Sequence, residues 1–326
     1  MQFDNKQLIE TYHKLDENDS YAADQFFGDG MYFPGNTPDG SHMPHEKFLW
    51  YEGILKDLYI DNPKRYLKIH KGTPYYFLGW TAFDLRDYER SIFYFDAALL
   101  EDVRRNPRDW KGKPAADFFY LRDKTGQSAL RVTIEVRRVV EEKISNYNAN
   151  YKLDFTLQKF LKYVDFNAEI GGHRSIITSL YSFILDFFDR ANQLNLRSIQ
   201  GGTFEPFFLH LFKGCLVFES VLKEFFKDQF SSPLGSILID KKVELGIPDF
   251  KTQSNLKLLR QIINKFIEYH LKSCPSITQS IFFTYKLRNA TGHNLAWDVK
   301  FCANTYKELF ENILYSIFYL IDKKHL

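Results

Sequence analysis

From Lys152 onward the apolar residues recur every three or four positions, and that spacing constrains the chain more than any other feature. Residues at i, i+3, i+4 and i+7 share one face of a helix, whereas a half-buried strand alternates. In 175–197, Ile176, Ile177, Leu180, Ile184, Phe187, Phe188 and Ala191 fall on one face. In 255–272 the same spacing joins Leu256, Leu259, Ile263, Phe266, Ile267 and His270. In 304–322 it joins Leu309, Phe310, Ile313, Leu314 and Ile317. The segment 204–230 is apolar nearly all round, the pattern of a central, most buried helix, and embeds Glu219 among Val217, Phe218 and Val221. Upstream, 5–27, 46–60, 115–122 and 127–147 read as helices. Residues 28–45 read as a Gly- and Pro-rich loop and 231–250 as an irregular connection. No alternating run bounded by turn residues argues for a sheet. The expected fold class is all-α.

A chain of 326 residues suggests about two domains. It buries roughly 75% of its unfolded surface, so a stable core needs neither disulfide nor metal. The 43 basic and 41 acidic residues leave a net charge of +2, so any nucleic-acid surface is local. With 32 Phe and 20 Tyr, the aromatic side chains either stack on bases or pack between helices. The helical spacing of most Phe favours packing. Cys215, Cys274 and Cys302 are odd in number, far apart and form no CxxC, which argues against a disulfide framework or a zinc site. The N-terminal stretch is charged and lacks the apolar core of a signal peptide. No run of 18 apolar residues suggests a membrane span. The expected setting is a reducing cytoplasm, with no membrane association and no cofactor.

Residues 74–102 carry Tyr75, Leu78, Gly79 and Ala82, then Ser91, Phe95 and Ala98. This resembles one tetratricopeptide repeat, whose pattern is W-x2-L-G-x2-Y followed by A-x3-F. Small residues at Gly79 and Ala98 let two antiparallel helices approach, and Asp87 and Tyr88 fall at the turn. Val103 stands where a proline is expected, and no second unit aligns. A single unit cannot bury its own apolar face, so the flanking helices must act as neighbours. The resemblance implies a protein- or peptide-binding scaffold, and the N-terminal domain is expected to take a protein or small-molecule regulator. The domains expected are 1–45, an N-terminal helix and loop; 46–170, a tetratricopeptide-like domain; and 171–326, a helical bundle.

Between two apolar segments near the end stands "TYKLRNATGHNLAWD", 284–298. Arg288 offers a planar fork to phosphate oxygens, and His293 exchanges a proton near neutral pH. In a regular helix, residues five apart point ~140° from one another. Gly292 permits a helix end or bend that swings His293 back. Asn289 can orient either group. Read as structure alone, Arg288 pairs with an acid or caps a carbonyl, and His293 favours a helix C-terminus. The order Arg288, Asn289, three residues, His293, ahead of a final amphipathic helix, resembles the catalytic motif of the HEPN superfamily. The helix around Glu219 is similar to that family's second helix, where a polar residue often faces the motif.

That resemblance covers about 171–326. It implies a four- or five-helix bundle, usually dimeric, with both Arg/His pairs at one interface. Many members are metal-independent ribonucleases of toxin–antitoxin, CRISPR or anti-phage systems. It implies catalytic roles for Arg288, His293 and Asn289, supported by Glu219 and Gly292. The tyrosine that one family variant carries two residues beyond the histidine is replaced here by Leu295.

Three further stretches are candidates. "EIGGHRS", 169–175, places His173 and Arg174 before a helix, where backbone amides hold phosphates; it also reads as a turn between domains. "VRRNPRDWKGKP", 103–114, gathers Arg104, Arg105, Arg108, Lys111 and Lys113 around Trp110, either guiding RNA with a stacking indole or forming a solvated loop. "RVVEEK", 138–143, reads as a charged helix face. No HExxH, GxSxG or P-loop occurs. Two readings follow: a HEPN-type endoribonuclease acting on RNA, regulated by its N-terminal domain, or a non-catalytic helical adaptor that binds RNA, nucleotide or protein.

Overall fold

The computed structural model describes residues 6–30, 43–122, 130–168, 173–196, 203–247, 276–291 and 302–324. Among them are fifteen α-helices and no β-strand, so the chain is all-α. They are α1 (Lys6–His13), α2 (Ser20–Gln25), α3 (Pro44–Asp61), α4 (Pro63–Lys68), α5 (Gly72–Asp84), α6 (Tyr88–Arg105), α7 (Pro114–Phe119), α8 (Leu130–Tyr151), α9 (Leu157–Ala168), α10 (Arg174–Leu196), α11 (Glu205–Phe225), α12 (Leu234–Asp240), α13 (Lys242–Leu245), α14 (Ile277–Thr291) and α15 (Ala303–Lys323). None is long and apolar enough to cross a membrane. The chain divides into two compact units, Met1–Glu135 and Val136–Leu326. Most of α8 and all of α9 therefore belong with the second unit, upstream of the boundary drawn at 171.

In the first unit, the helix expected over 5–27 is broken. Asp16 accepts the Asn18 N–H at 2.9 Å, and Asp19 caps α2 by accepting the Ala22 N–H at 2.9 Å. Short acidic side chains of this kind offer the backbone a turn in place of a helix. The hairpin of α5 and α6 forms where the repeat-like residues stand. Asp87 caps α6, and Ser91 Oγ donates to the Gly79 carbonyl at 2.7 Å. A Cβ on Gly79 would lie 3.0 Å from the Phe95 ring, so glycine sets how closely the two helices approach. Phe95 in turn stacks on Phe118 of α7, centroids 4.3 Å apart.

Buried charge also holds this unit together. His70, 3% exposed, lies 3.4 Å from both Asp24 and Asp102. Burial works to lower its pKa, but the two carboxylates outweigh it and push it up to about 9.

The second unit is organised around α15 together with α11, the helix that the sequence marked as central. From Asn312 to Ile321 every residue of α15 is buried. Tyr315 meets Tyr147 of α8 at 5.6 Å, Phe318 meets Phe160 of α9 at 6.0 Å, and Phe310 stacks on Phe187 of α10 at 4.1 Å. On α11, His210 accepts from or donates to Tyr306 at 2.5 Å through Nδ1, and its Nε2 lies 2.8 Å from the Phe183 carbonyl. On the side facing α14 the contacts are polar: Ser280 donates to Asn312 at 2.6 Å, and Thr284 meets Ser316 at 3.2 Å. These polar side chains are buried because each has a partner.

Two further expectations change. Lys143, assigned to a charged face, is 2% exposed. Its ammonium lies 3.2 Å from Glu311 and 5.2 Å from the Phe187 ring centre. The connection 231–250 contains the short helices α12 and α13. The helix expected over 255–272 lies outside the described residues.

Candidate functional site

Two hydrogen bonds between α14 and α15 set the position of Arg288. Ser280, Thr284 and Arg288 follow one another at every fourth residue. With Ser280 and Thr284 fastened to α15, the last turn of α14 is presented to α11. Gly214 allows α11 to approach α10 and α15 closely: a Cβ at that position would lie 2.3 Å from Phe183 and 2.9 Å from Ile313. Five residues further along α11 is Glu219. Arg288 Nε donates to Glu219 Oε2 at 2.6 Å.

Glu219 serves two cations. Lys223, one turn on, lies 2.9 Å from its other oxygen, in the favourable order of acid before base. The carboxylate is 10% exposed, Lys223 23% and Arg288 30%. Burial would raise the Glu219 pKa. The hydrogen bonds from Lys223 and Arg288 outweigh that and hold it below the ordinary range. The carboxylate is therefore ionised at neutral pH, between two cations. Cys215, one turn before Glu219, is fully buried, and burial pushes its thiol pKa up. It is a packing residue and not a nucleophile.

Two clefts open beside this group and share Glu219, Lys223 and Arg288 as a common wall. The first, about 390 Å³, also has His173, Leu216 and Phe230 in its walls. Glu224 closes it, held by Tyr163 and Lys324, each at 2.7 Å. The second, about 530 Å³, is bordered by Asn289, Tyr285 and the serines of 231–236. Both volumes suit a ligand of nucleotide size.

Of the residues singled out in the sequence, Arg288, Asn289 and Glu219 come together. Gly292 and His293 lie outside the described residues. Arg174 begins α10 and is partly exposed, and its neighbours His173 and Ser175 line the first cleft.

The basic stretch of the first unit has local uses. Arg104 donates to the Leu67 carbonyl at 2.7 Å and pairs with Glu101 at 2.8 Å. Arg105 donates to the carbonyls of Lys68 and Glu17. Trp110, for which a stacking indole was one of two readings, is 5% exposed, with Lys111 over its ring. Arg108 is exposed and Lys113 partly so. Sequence reasoning missed Lys223, Phe230 and Tyr285; the signal for Lys223 is its place one turn after Glu219, and for Tyr285 its place one turn before Arg288.

Among the described residues, no three His, Cys, Asp or Glu side chains are grouped to hold a metal ion. Compared with known proteins, the chain matches no family model, no curated protein and no solved structure.

Proposed function

We propose that the protein is an endoribonuclease of HEPN type, cleaving RNA by attack of the 2′-OH on the adjacent phosphorus. The observation that carries this reading is the position of Arg288. It stands in the wall of an open cleft within a helical bundle, beside a second cation, in a motif that resembles the catalytic one. In this scheme Arg288 stabilises charge building on the phosphoryl oxygens. His293 transfers protons to and from the reacting oxygens, a contribution of typically ~10²–10⁴-fold. Asn289, on the border of the second cleft, orients the phosphate. Glu219 keeps Arg288 extended toward the cleft, and Lys223 adds charge.

The bundle forms a homodimer in this reading, so that two copies of 288–293 face each other across a two-fold axis. Sedimentation at micromolar concentration reads that directly. The first unit senses a regulator, as a toxin or defence effector in the cytoplasm requires. The test is cleavage of a structured RNA by the purified full chain, with loss of cutting in His293→Ala.

A second reading is a non-catalytic helical adaptor. It is favoured by the Arg288–Glu219 bond itself, which accounts for the arginine's position without any chemistry. Wild type and His293→Ala that bind RNA equally and both leave it intact would support it.

A further inference from the structure

Phe230 is the most exposed of the large apolar side chains that line the two clefts, ahead of Leu216 and Ile239. α11 ends at Phe225, and a short 3₁₀ turn, Lys227–Gln229, follows. Phe226 turns inward and is 4% exposed, whereas Phe230 turns outward and is 64% exposed. An isolated exposed aromatic needs no explanation. Phe230, however, lies in the wall of the first cleft, which Lys223 and Arg288 also line. The second cleft continues from the same two cations along the hydroxyls of Ser231, Ser232, Ser236 and Tyr285. The site thus combines an exposed aromatic ring, two cations that share one carboxylate, and serine and tyrosine side chains.

We propose that Phe230 is the base platform of this site. One base stacks on its ring, the adjoining phosphate sits on Lys223 and Arg288, and the next sugar lies along the hydroxyls of 231–236. The proposal rests on the ribonuclease reading for the identity of the ligand and adds a residue that decides which strands enter. A base can reach the ring only when it is out of a duplex, because stacking needs an open π-face. Glu219 and Glu224 do not oppose the phosphate: the first is shared by two cations, and the second is neutralised by Lys324.

The experiment uses the full chain and a short 2′-O-methyl RNA carrying 2-aminopurine, which binds but offers no nucleophile. Wild type should bind it and quench the fluorescence of one position. Phe230→Leu keeps an apolar side chain without a π-face and should weaken binding ~5- to 150-fold and abolish the quenching. Phe230→Trp should restore both. Equal binding by Phe230→Leu, an unquenched base in wild type, or a Phe230→Leu defect that tracks a change in oligomeric state would overturn the proposal. Binding and quenching in a protein that cuts no RNA would leave the platform standing and remove the chemistry. Cutting with Phe230→Leu binding unchanged would do the reverse.

Discussion

Alanine at position 214 tests how closely the helices around the site are packed. Gly214 lies inside α11, where alanine is intrinsically better by ~1 kcal/mol. Its new Cβ would lie 2.3 and 2.4 Å from atoms of the Phe183 ring and 2.9 Å from Ile313 Cγ2. Carbon atoms are comfortable at ~3.5–4.0 Å, so the ring must withdraw by roughly 1 Å or more. Phe183 has little room to do so. It is fully buried, stacked on His210 at 4.7 Å and packed on Phe310 at 4.8 Å. Overpacking costs ~1–3 kcal/mol, and two crowded neighbours place this case at the upper end. After the propensity gain, Gly214→Ala should destabilise by about 1–2 kcal/mol, a fall of ~2–4 °C in Tm per kcal/mol for a unit of this size. Urea and thermal unfolding measure both. Adding Phe183→Leu should recover part of the loss. Gly79→Ala, facing Phe95 at 3.0 Å, needs a smaller shift and should cost less. A Gly214→Ala protein stabilised by ~1 kcal/mol, or a Phe183→Leu change that merely adds its own cost, would refute the reasoning.

Arg288→Lys retains a charge for Glu219 and should keep stability within ~1 kcal/mol while losing cleavage, since an ammonium lacks the planar fork. Arg288→Ala removes a charged hydrogen bond and should cost ~1–3 kcal/mol in urea unfolding. Burial pushes the His210 pKa down from 6.5 to about 3, so the unfolded chain takes up the proton first. The stability it contributes is complete above pH 6.5 and is lost as pH falls toward 3. The urea midpoint should therefore drop on acidification below 6.5, and less steeply in His210→Gln. Lys143→Ala strips a buried partner from Glu311 and should cost ~2–3 kcal/mol. Arg138→Ala, from an exposed pair with Glu142, should change stability by less than ~0.5 kcal/mol in the same assay.

The all-α class was legible because spacing of three and four runs through most of the chain. What spacing misjudged was burial of polar residues. Asn312 and Ser316 fall outside the apolar stripe named for the last helix, yet they are buried and meet the hydroxyls of Ser280 and Thr284. Lys143 read as solvated, yet its stem and ammonium lie among Phe rings and Glu311. The break after α1 falls in the polar run 16–20, DENDS, which the reading of 5–27 as one helix passed over. At the site, Arg288, Asn289 and Glu219 were legible through their resemblance to a motif. Lys223 and Tyr285 stand one turn from Glu219 and Arg288 on the same two helices but outside the motif, and Phe230 lies beyond the end of α11, where only packing brings it to the site. His70 with Asp24 and Asp102 was invisible for the same reason.

The central claim is that this site cuts RNA with the substrate's own 2′-OH as nucleophile. The most direct measurement compares two RNAs that differ by one 2′-OH at the scissile nucleotide, incubated with the full chain in excess EDTA, with fragment ends mapped by mass spectrometry. The account predicts that only the ribose form is cut. The upstream fragment should end in a 2′,3′-cyclic phosphate and the downstream one should begin with a 5′-OH, and neither should form with His293→Ala. Cleavage of the 2′-deoxy form, activity that disappears in EDTA and returns with Mg²⁺, or identical products from wild type and His293→Ala would contradict it.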